Sequence, residues 1–256
     1  MCRLRAMAVA LALVVCGGVG SPAHAGAYTF GITYFTIAGP SVDQDFGSTP
    51  CCVGTPYTNE VMSNLGPDGL PVYNSFYGGP TLHDVNSNGE LTWWSPSQNS
   101  NVTQTSTGTV TSPFSNTSFY PPNGTGGNDA NGYQGAIIAG NFVLPSAESV
   151  TFTLGSDDDS FLYVDGTNIA QLGGIHGVAN INPVTSTLSA GSHSFKLFYV
   201  DRQQTGAGLN FSINTSGLTV TPPVPEPASL PVLGSGVIGL VLLARRRRNE
   251  GSGTAQ

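Results

Sequence analysis

The chain has 256 residues, enough for one good-sized domain or two small ones. Only 9% of them are charged, against 34 glycines and 18 prolines. That composition disfavours long salt-bridged helices and favours short strands joined by turns. Six of the eight basic residues stand at the two ends, leaving Lys196 and Arg202 to face thirteen acids between residues 26 and 224, a net charge of minus eleven for that stretch. Such a body repels nucleic acid and anionic lipid surfaces, and suits a bound cation or a neutral glycan.

The N-terminus reads as a secretory signal peptide over residues 1–25, expected as a short helix. Arg3 and Arg5 form its charged start, an apolar run extends from Ala6 to Val19, and Ala23-His24-Ala25 places cleavage between Ala25 and Gly26. Cys2 and Cys16 leave with it. The remaining cysteines, Cys51 and Cys52, are adjacent and can staple no long loop.

Residues 26–220 read as one all-β domain. Tyr28 to Ile37 alternates as a strand, followed by a loop from Gly39 to Pro56 that holds Asp43 and Asp45. A turn signal lies in Leu65 to Tyr73, and Leu82 to Asn88 reads as loop. Of the paired Trp93 and Trp94, one is expected in the core and the other against a neighbour or ligand. Residues 95–132 are rich in Ser, Thr, Asn, Gly and Pro, and form either a surface excursion or irregular edge strands. Strands follow at Ala136 to Leu144 and Ser149 to Leu154. Phe161 to Val164 and Asn168 to Leu172 form a hairpin around Asp165-Gly166. Ser192 to Val200 puts Phe195, Leu197 and Tyr199 on one face and Lys196, Phe198 and Val200 on the other. Leu209, Phe211 and Ile213 make the last alternation. Many short strands without helical period predict an antiparallel β-sandwich, jelly-roll-like in outline.

Three parts follow in order over residues 221–250: Val224 to Ser229 with Pro225-Glu226-Pro227 at its heart, an apolar run from Leu230 to Ala244 expected as a short helix, and Arg245 to Arg248. Fifteen apolar residues are short for a roughly 30 Å hydrocarbon core, and the arginines stay on the cytoplasmic side. This tail resembles the PEP-CTERM sorting signal. The resemblance implies an exosortase-type processing enzyme as partner, transit through the inner membrane, and a cell-surface or matrix destination linked to extracellular polysaccharide.

The residues richest in chemistry are Asp157, Asp158 and Asp159, three consecutive carboxylates at a strand mouth. Hard oxygens gathered on one loop select Ca²⁺ over softer metals, and a solvated acidic turn is the alternative. His176 stands between glycines on a loop, as a ligand contact or an orienting group. Arg202, beside Asp201, is expected to pair with an acid.

Ser156-Asp157-Asp158 with Leu162-Tyr163-Val164-Asp165-Gly166 is similar to the signature of the protective-antigen-type lectin sandwich. With Leu172-Gly173-Gly174-Ile175-His176-Gly177 it resembles the fibro-slime domain, over roughly residues 28 to 215. Phe161-Leu162 departs from that pattern, where a tryptophan is usual, and this touches packing more than the acidic loop. The resemblance implies that Asp157 and Asp158 bind calcium, in some members through a cis peptide, and that the calcium meets sugar hydroxyls. The expected function is therefore calcium-dependent carbohydrate binding or adhesion at the cell surface, with a structural matrix protein holding a stabilising calcium as the alternative. A glycoside hydrolase is the minor reading, because adjacent aspartates do not straddle a bond as two catalytic carboxylates must. No nucleophile elbow, zinc-helix motif or phosphate loop is present, so no enzyme is expected.

Overall fold

The computed structural model describes residues 28–38, 43–47, 54–117, 119, 133–203, 206–215 and 219–221. The signal segment, Cys51, Cys52 and the C-terminal tail lie outside these residues, as do the two helices expected at the ends. The strands are β1 (Tyr28–Ile37), β2 (Val61–Leu65), β3 (Pro71–Tyr73), β4 (Val102–Ser112), β5 (Phe114–Asn116), β6 (Tyr133–Leu144), β7 (Glu148–Asp157), β8 (Asp159–Val164), β9 (Thr167–Leu172), β10 (Ala179–Asn180), β11 (Val184–Leu188), β12 (Gly191–Val200), β13 (Gly208–Asn214) and β14 (Thr219–Thr221). Among the described residues there is no helix, hence none long and apolar enough to cross a membrane.

The strands form two antiparallel sheets. The larger runs β3-β2-β9-β8-β12-β6-β1-β4, with β14 also on β6. The smaller runs β10-β7-β13-β5, with β11 also on β7. Residues 102–116, left open between excursion and edge strands, are strands: β4 borders the larger sheet and β5 the smaller.

Period two decides which side chains meet. On β1, Phe30, Ile32 and Tyr34 face the space between the sheets, where they meet Phe152 and Leu154 of β7 and Leu209, Phe211 and Ile213 of β13. The ring of Phe30 stands edge-on to Phe195 at 4.7 Å. The odd positions Phe35 and Ile37 enter a second core on the opposite face of the larger sheet. There Phe161, Tyr163, Phe198 and Val200 meet Phe46, Leu82, Leu91, Trp93 and Trp94 from the long β1–β4 connection. The larger sheet is thus apolar on both faces over part of its area, and burying both requires a cover.

Both tryptophans belong to that cover. Trp93 is 0% exposed and Trp94 3%, so the expectation that one would face a neighbour or ligand does not hold. Each indole N–H finds an acceptor, Trp94 on the Tyr199 carbonyl at 2.8 Å and Trp93 on Asp45 Oδ2 at 3.1 Å. Asp45 also accepts the backbone N–H groups of His83 and Asp84, so one carboxylate pins two segments of the cover. Glu90, fully buried, accepts the N–H of Asp68 and closes the turn before β3. A Cβ on Gly66 would run into this carboxylate, so the turn needs glycine there.

At the far end of the larger sheet the β8–β9 turn takes Asp165 and Gly166 to positive φ, 51° and 76°. The Asp165 carboxylate ties this turn to β12 through the Ser194 N–H at 2.9 Å and His193 Nδ1 at 2.7 Å. That bond to Asp165, with the Ser189 carbonyl on the other ring nitrogen, raises the His193 pKa above its usual 6.5. A raised folded value means the contribution is complete below the unfolded pKa and disappears as pH rises through the folded one. Melting temperature in the wild type should therefore drop by a few degrees as pH rises from about 6.5 through that window. His193→Gln should flatten this part of the profile, as thermal melts at a series of pH values would read; an unchanged slope would show that His193 does not set it.

Candidate functional site

The site forms where β7 passes into β8 and where β12 enters the loop before β13. Asp157 ends β7, Asp159 opens β8, and the Asp157–Asp158 peptide bond is cis. Asp158 and Asp159 are almost wholly buried, and Asp157 is 8% exposed at the mouth. The three carboxylates go to different partners. Asp158 Oδ1 accepts the His176 N–H at 2.7 Å and Oδ2 the Arg202 N–H at 2.9 Å. Asp159 Oδ1 accepts the Gly174 N–H, and Oδ2 lies 3.4 Å from Arg202 Nη1. Asp157 lies against Gly206, where a Cβ would come within 2.6 Å of Oδ2; Gly206 has a φ of +87°. The Asp157 carbonyl accepts the Tyr199 hydroxyl at 2.8 Å.

Arg202 is the centre of this arrangement. It is 5% exposed, its Nε donates to the Asp45 carbonyl at 2.9 Å, and its guanidinium lies 4.8 Å from the centre of the Trp93 ring. Glu60, 0% exposed, lies 3.9 Å from Nη1. Burial lowers the Arg202 pKa, but the charges of Asp159, Glu60, Asp45 and Asp158 outweigh it and raise the value above the usual one. Arg202 therefore pairs with an acid, Asp159.

One guanidinium does not neutralise its surroundings. Burial, reinforced by the Asp159 charge, pushes the Glu60 carboxyl well above the usual range. Neither Glu60 carboxyl oxygen has a hydrogen-bond partner, and its opposing charge is Arg202 Nη1 at 3.9 Å. Burial and the neighbouring Asp159 also push Asp158 up to about 8, and burial raises Asp157. The ionised forms of Asp157 and Asp158 are thus disfavoured unless an opposite charge from outside meets them. Each Asp158 oxygen accepts one N–H and keeps a second lone pair. These are hard oxygen donors, fitting a divalent cation such as Ca²⁺. Asp159, with its oxygens on Gly174 and Arg202, supplies charge from behind.

His176 is 3% exposed, and its ring Nδ1 lies 2.9 Å from the Gly177 carbonyl. Its backbone N–H, not its ring, holds Asp158. Asp201 is fully buried next to Arg202 and caps its own loop by accepting the Gln203 N–H at 3.2 Å. The structure thus brings Asp157, Asp158, Asp159, His176, Asp201 and Arg202 into one region, and adds Glu60 and Asp45, which sequence reasoning left out. Both come from the β1–β4 connection, and no local pattern ties them to residue 202.

A second acidic group lies in the same cover. Oxygens of Asp43, Asp45 and Asp84 come within 4.8 Å of one another. Burial and Asp43 push Asp84 up to about 7. Its sequence signal was present and unread: Asp84-Val85-Asn86-Ser87-Asn88-Gly89 has the alternating spacing and glycine of a calcium loop. Here, however, Asn86 Nδ2 donates to Glu90 at 2.9 Å and Gln98 at 2.7 Å, so that spacing builds an internal network.

No curated protein matches the chain in sequence. Among solved structures, the PA14 domain of the MpAFP antifreeze protein is similar at 14% identity and TM-score 0.29, over 38% of this chain and 56% of that one. A β-glucosidase from Kluyveromyces marxianus is similar at 14% identity and TM-score 0.28, over 34% of this chain and 12% of that one. A PA14 sugar-binding domain from an RTX adhesin is similar at 15% identity and TM-score 0.37, over 77% of this chain and 96% of that one. The chain spans less than two thirds of the first two, and likenesses this slight say nothing of its function. Residues 223–248 match the PEP-CTERM protein-sorting motif, which marks the chain as an exported protein processed at the membrane by exosortase.

Proposed function

We propose that this exported protein acts at the cell surface or in the extracellular matrix, where its sandwich domain binds carbohydrate through a calcium ion held by Asp157 and Asp158. The observation that carries the reading is the surplus of buried carboxylate around a single guanidinium, which leaves Asp157 at the mouth and Asp158 behind it without an opposite charge. Calcium takes six to eight oxygens, more than two carboxylates supply, and vicinal sugar hydroxyls are suitable donors for the remainder. An acidic body with two basic residues fits a neutral glycan better than a charged one. Exopolysaccharide is the partner class this implies, and a fibro-slime-like module is the finer family reading. The C-terminal apolar run would hold the chain at the inner membrane until exosortase acts. We assign no enzymatic activity: the acids of this loop are neighbours on one wall, and Asp159 is committed to Arg202.

The second reading keeps the calcium and drops the sugar. The depth of Asp158 favours it, since an ion coordinated there would also tie the loops of His176 and Arg202 together. A glycan array run with and without chelator separates the two. Calcium-dependent retention supports sugar binding, and a calcium-induced rise in melting temperature without retention supports the structural role.

Asp158→Asn should abolish the calcium-induced rise in melting temperature, and a rise of wild-type size in the variant would place the ion elsewhere. Arg202→Met should act differently. It leaves Asp159 uncompensated in the interior, so folding free energy should fall by about 3–5 kcal/mol in urea titrations. A variant as stable as the wild type would show that Arg202 is not the internal counter-ion.

A further inference from the structure

The loop that grips the two aspartates carries an imidazole nitrogen without a partner. His176 is 3% exposed, and its Nε2, shielded from water, makes no hydrogen bond. The other ring nitrogen, Nδ1, lies 2.9 Å from the Gly177 carbonyl. A carbonyl only accepts, so Nδ1 carries a proton, and in the neutral imidazole Nε2 then presents a bare lone pair. Buried polar atoms are nearly always satisfied, and one left bare points to water or an ion that completes it.

The backbone on either side of this ring is pinned to the acidic mouth. The His176 N–H donates to Asp158 Oδ1 at 2.7 Å, and the Val178 N–H donates to the Asp157 carboxylate. The ring itself acts on Asp157. Burial raises the Asp157 carboxyl, and the strongest influence against that rise is the charge of the His176 imidazole, ahead of Asp158 and the Val178 N–H. His176, not Arg202, is thus the cationic group that Asp157 feels most. Ring and carboxylate are near enough for charge to be felt yet make no hydrogen bond, since Nε2 bonds nothing and Nδ1 is turned to Gly177.

An imidazole that gives one N–H to a backbone carbonyl and keeps its other nitrogen bare has the arrangement of a metal-ligating histidine. The carbonyl fixes the tautomer and the ring plane. Asp157 and Asp158 add hard oxygens, and each Asp158 oxygen keeps a lone pair beyond its one N–H. Calcium takes oxygen donors, whereas imidazole suits transition ions. Zinc accepts carboxylate and imidazole together, at about 2.0–2.2 Å each. Bonds of that length on both sides of one ion close a gap that no hydrogen bond closes here.

We infer that His176 Nε2 is a nitrogen ligand at the Asp157–Asp158 mouth, so that the site takes a divalent transition ion of the zinc and manganese class in competition with calcium. The inference rests on the cation site proposed above, to which it adds a donor atom and a selectivity.

The full chain, stripped with a chelator, should be titrated with Zn²⁺, Mn²⁺ and Ca²⁺ in turn by calorimetry. The Mn²⁺-loaded protein should also be read by electron spin echo, which detects nitrogen bonded to the metal. The wild type should bind Zn²⁺ and Mn²⁺ at a site from which calcium displaces them, with a nitrogen coupling in the echo. His176→Gln should weaken Zn²⁺ and Mn²⁺ at least about tenfold, remove the coupling and leave calcium affinity unchanged. A wild-type echo without nitrogen coupling overturns the assignment, and that result needs no variant to fold. So does a His176→Gln protein that keeps Zn²⁺ at wild-type strength, or one that loses calcium and Zn²⁺ alike, which would make the ring a prop for its loop. Calcium uptake without Zn²⁺ or Mn²⁺ overturns the nitrogen ligand and leaves the calcium site standing. Zn²⁺ and Mn²⁺ uptake with nitrogen coupling but no calcium supports the ligand and overturns the calcium site. Failure to bind any of the three overturns both.

Discussion

The buried guanidinium of Arg202 is the contact on which the architecture turns. It ties the first loop, through the Asp45 carbonyl, to Asp159 at the β7–β8 corner and to its own loop after β12, two parts that already meet in the larger sheet. Trp93, beneath the guanidinium, belongs to the outer-face core, so the same side chain links the electrostatic centre to the packing of the cover. A buried charge is tolerable only when paired and hydrogen-bonded, and here it is both.

The pairing is unequal, and that inequality has a chemical consequence. Burial and the Asp159 charge disfavour the ionised form of Glu60, which has Arg202 Nη1 3.9 Å away as its opposing charge. Asp157, at the mouth, and Asp158 behind it have another solution open to them, a cation from outside. A domain with thirteen acids and two bases must find such partners somewhere. In an exported protein, the available one is a divalent ion present at millimolar concentration, the range in which extracellular calcium modules work.

Much of the sandwich was legible from period two alone. The strand read at Tyr28 to Ile37 has those bounds, and the hairpin about Asp165-Gly166 is where the turn pair put it. The second core was harder to see, yet its trace is in β12, where Phe198 and Val200 on the face opposite Phe195 and Leu197 ask for a cover. Trp93 and Trp94 answer that demand from about a hundred residues away, and only tertiary structure reveals the connection. Likewise the three aspartates announced the acidic loop, but not that their oxygens divide between the backbone of His176, Arg202 and Gly174. Backbone donors leave no mark in side-chain chemistry. Glu60 and Asp45 were missed for the same reason as the cover: they reach the site through long-range packing.

The account stands on one claim, that the negative charge left over by Arg202 is met by calcium. Equilibrium dialysis of the purified protein at millimolar free calcium, with the bound metal counted by elemental analysis, tests it most directly. The account predicts one ion per chain that a chelator removes. A folded protein that retains no calcium under those conditions would contradict it.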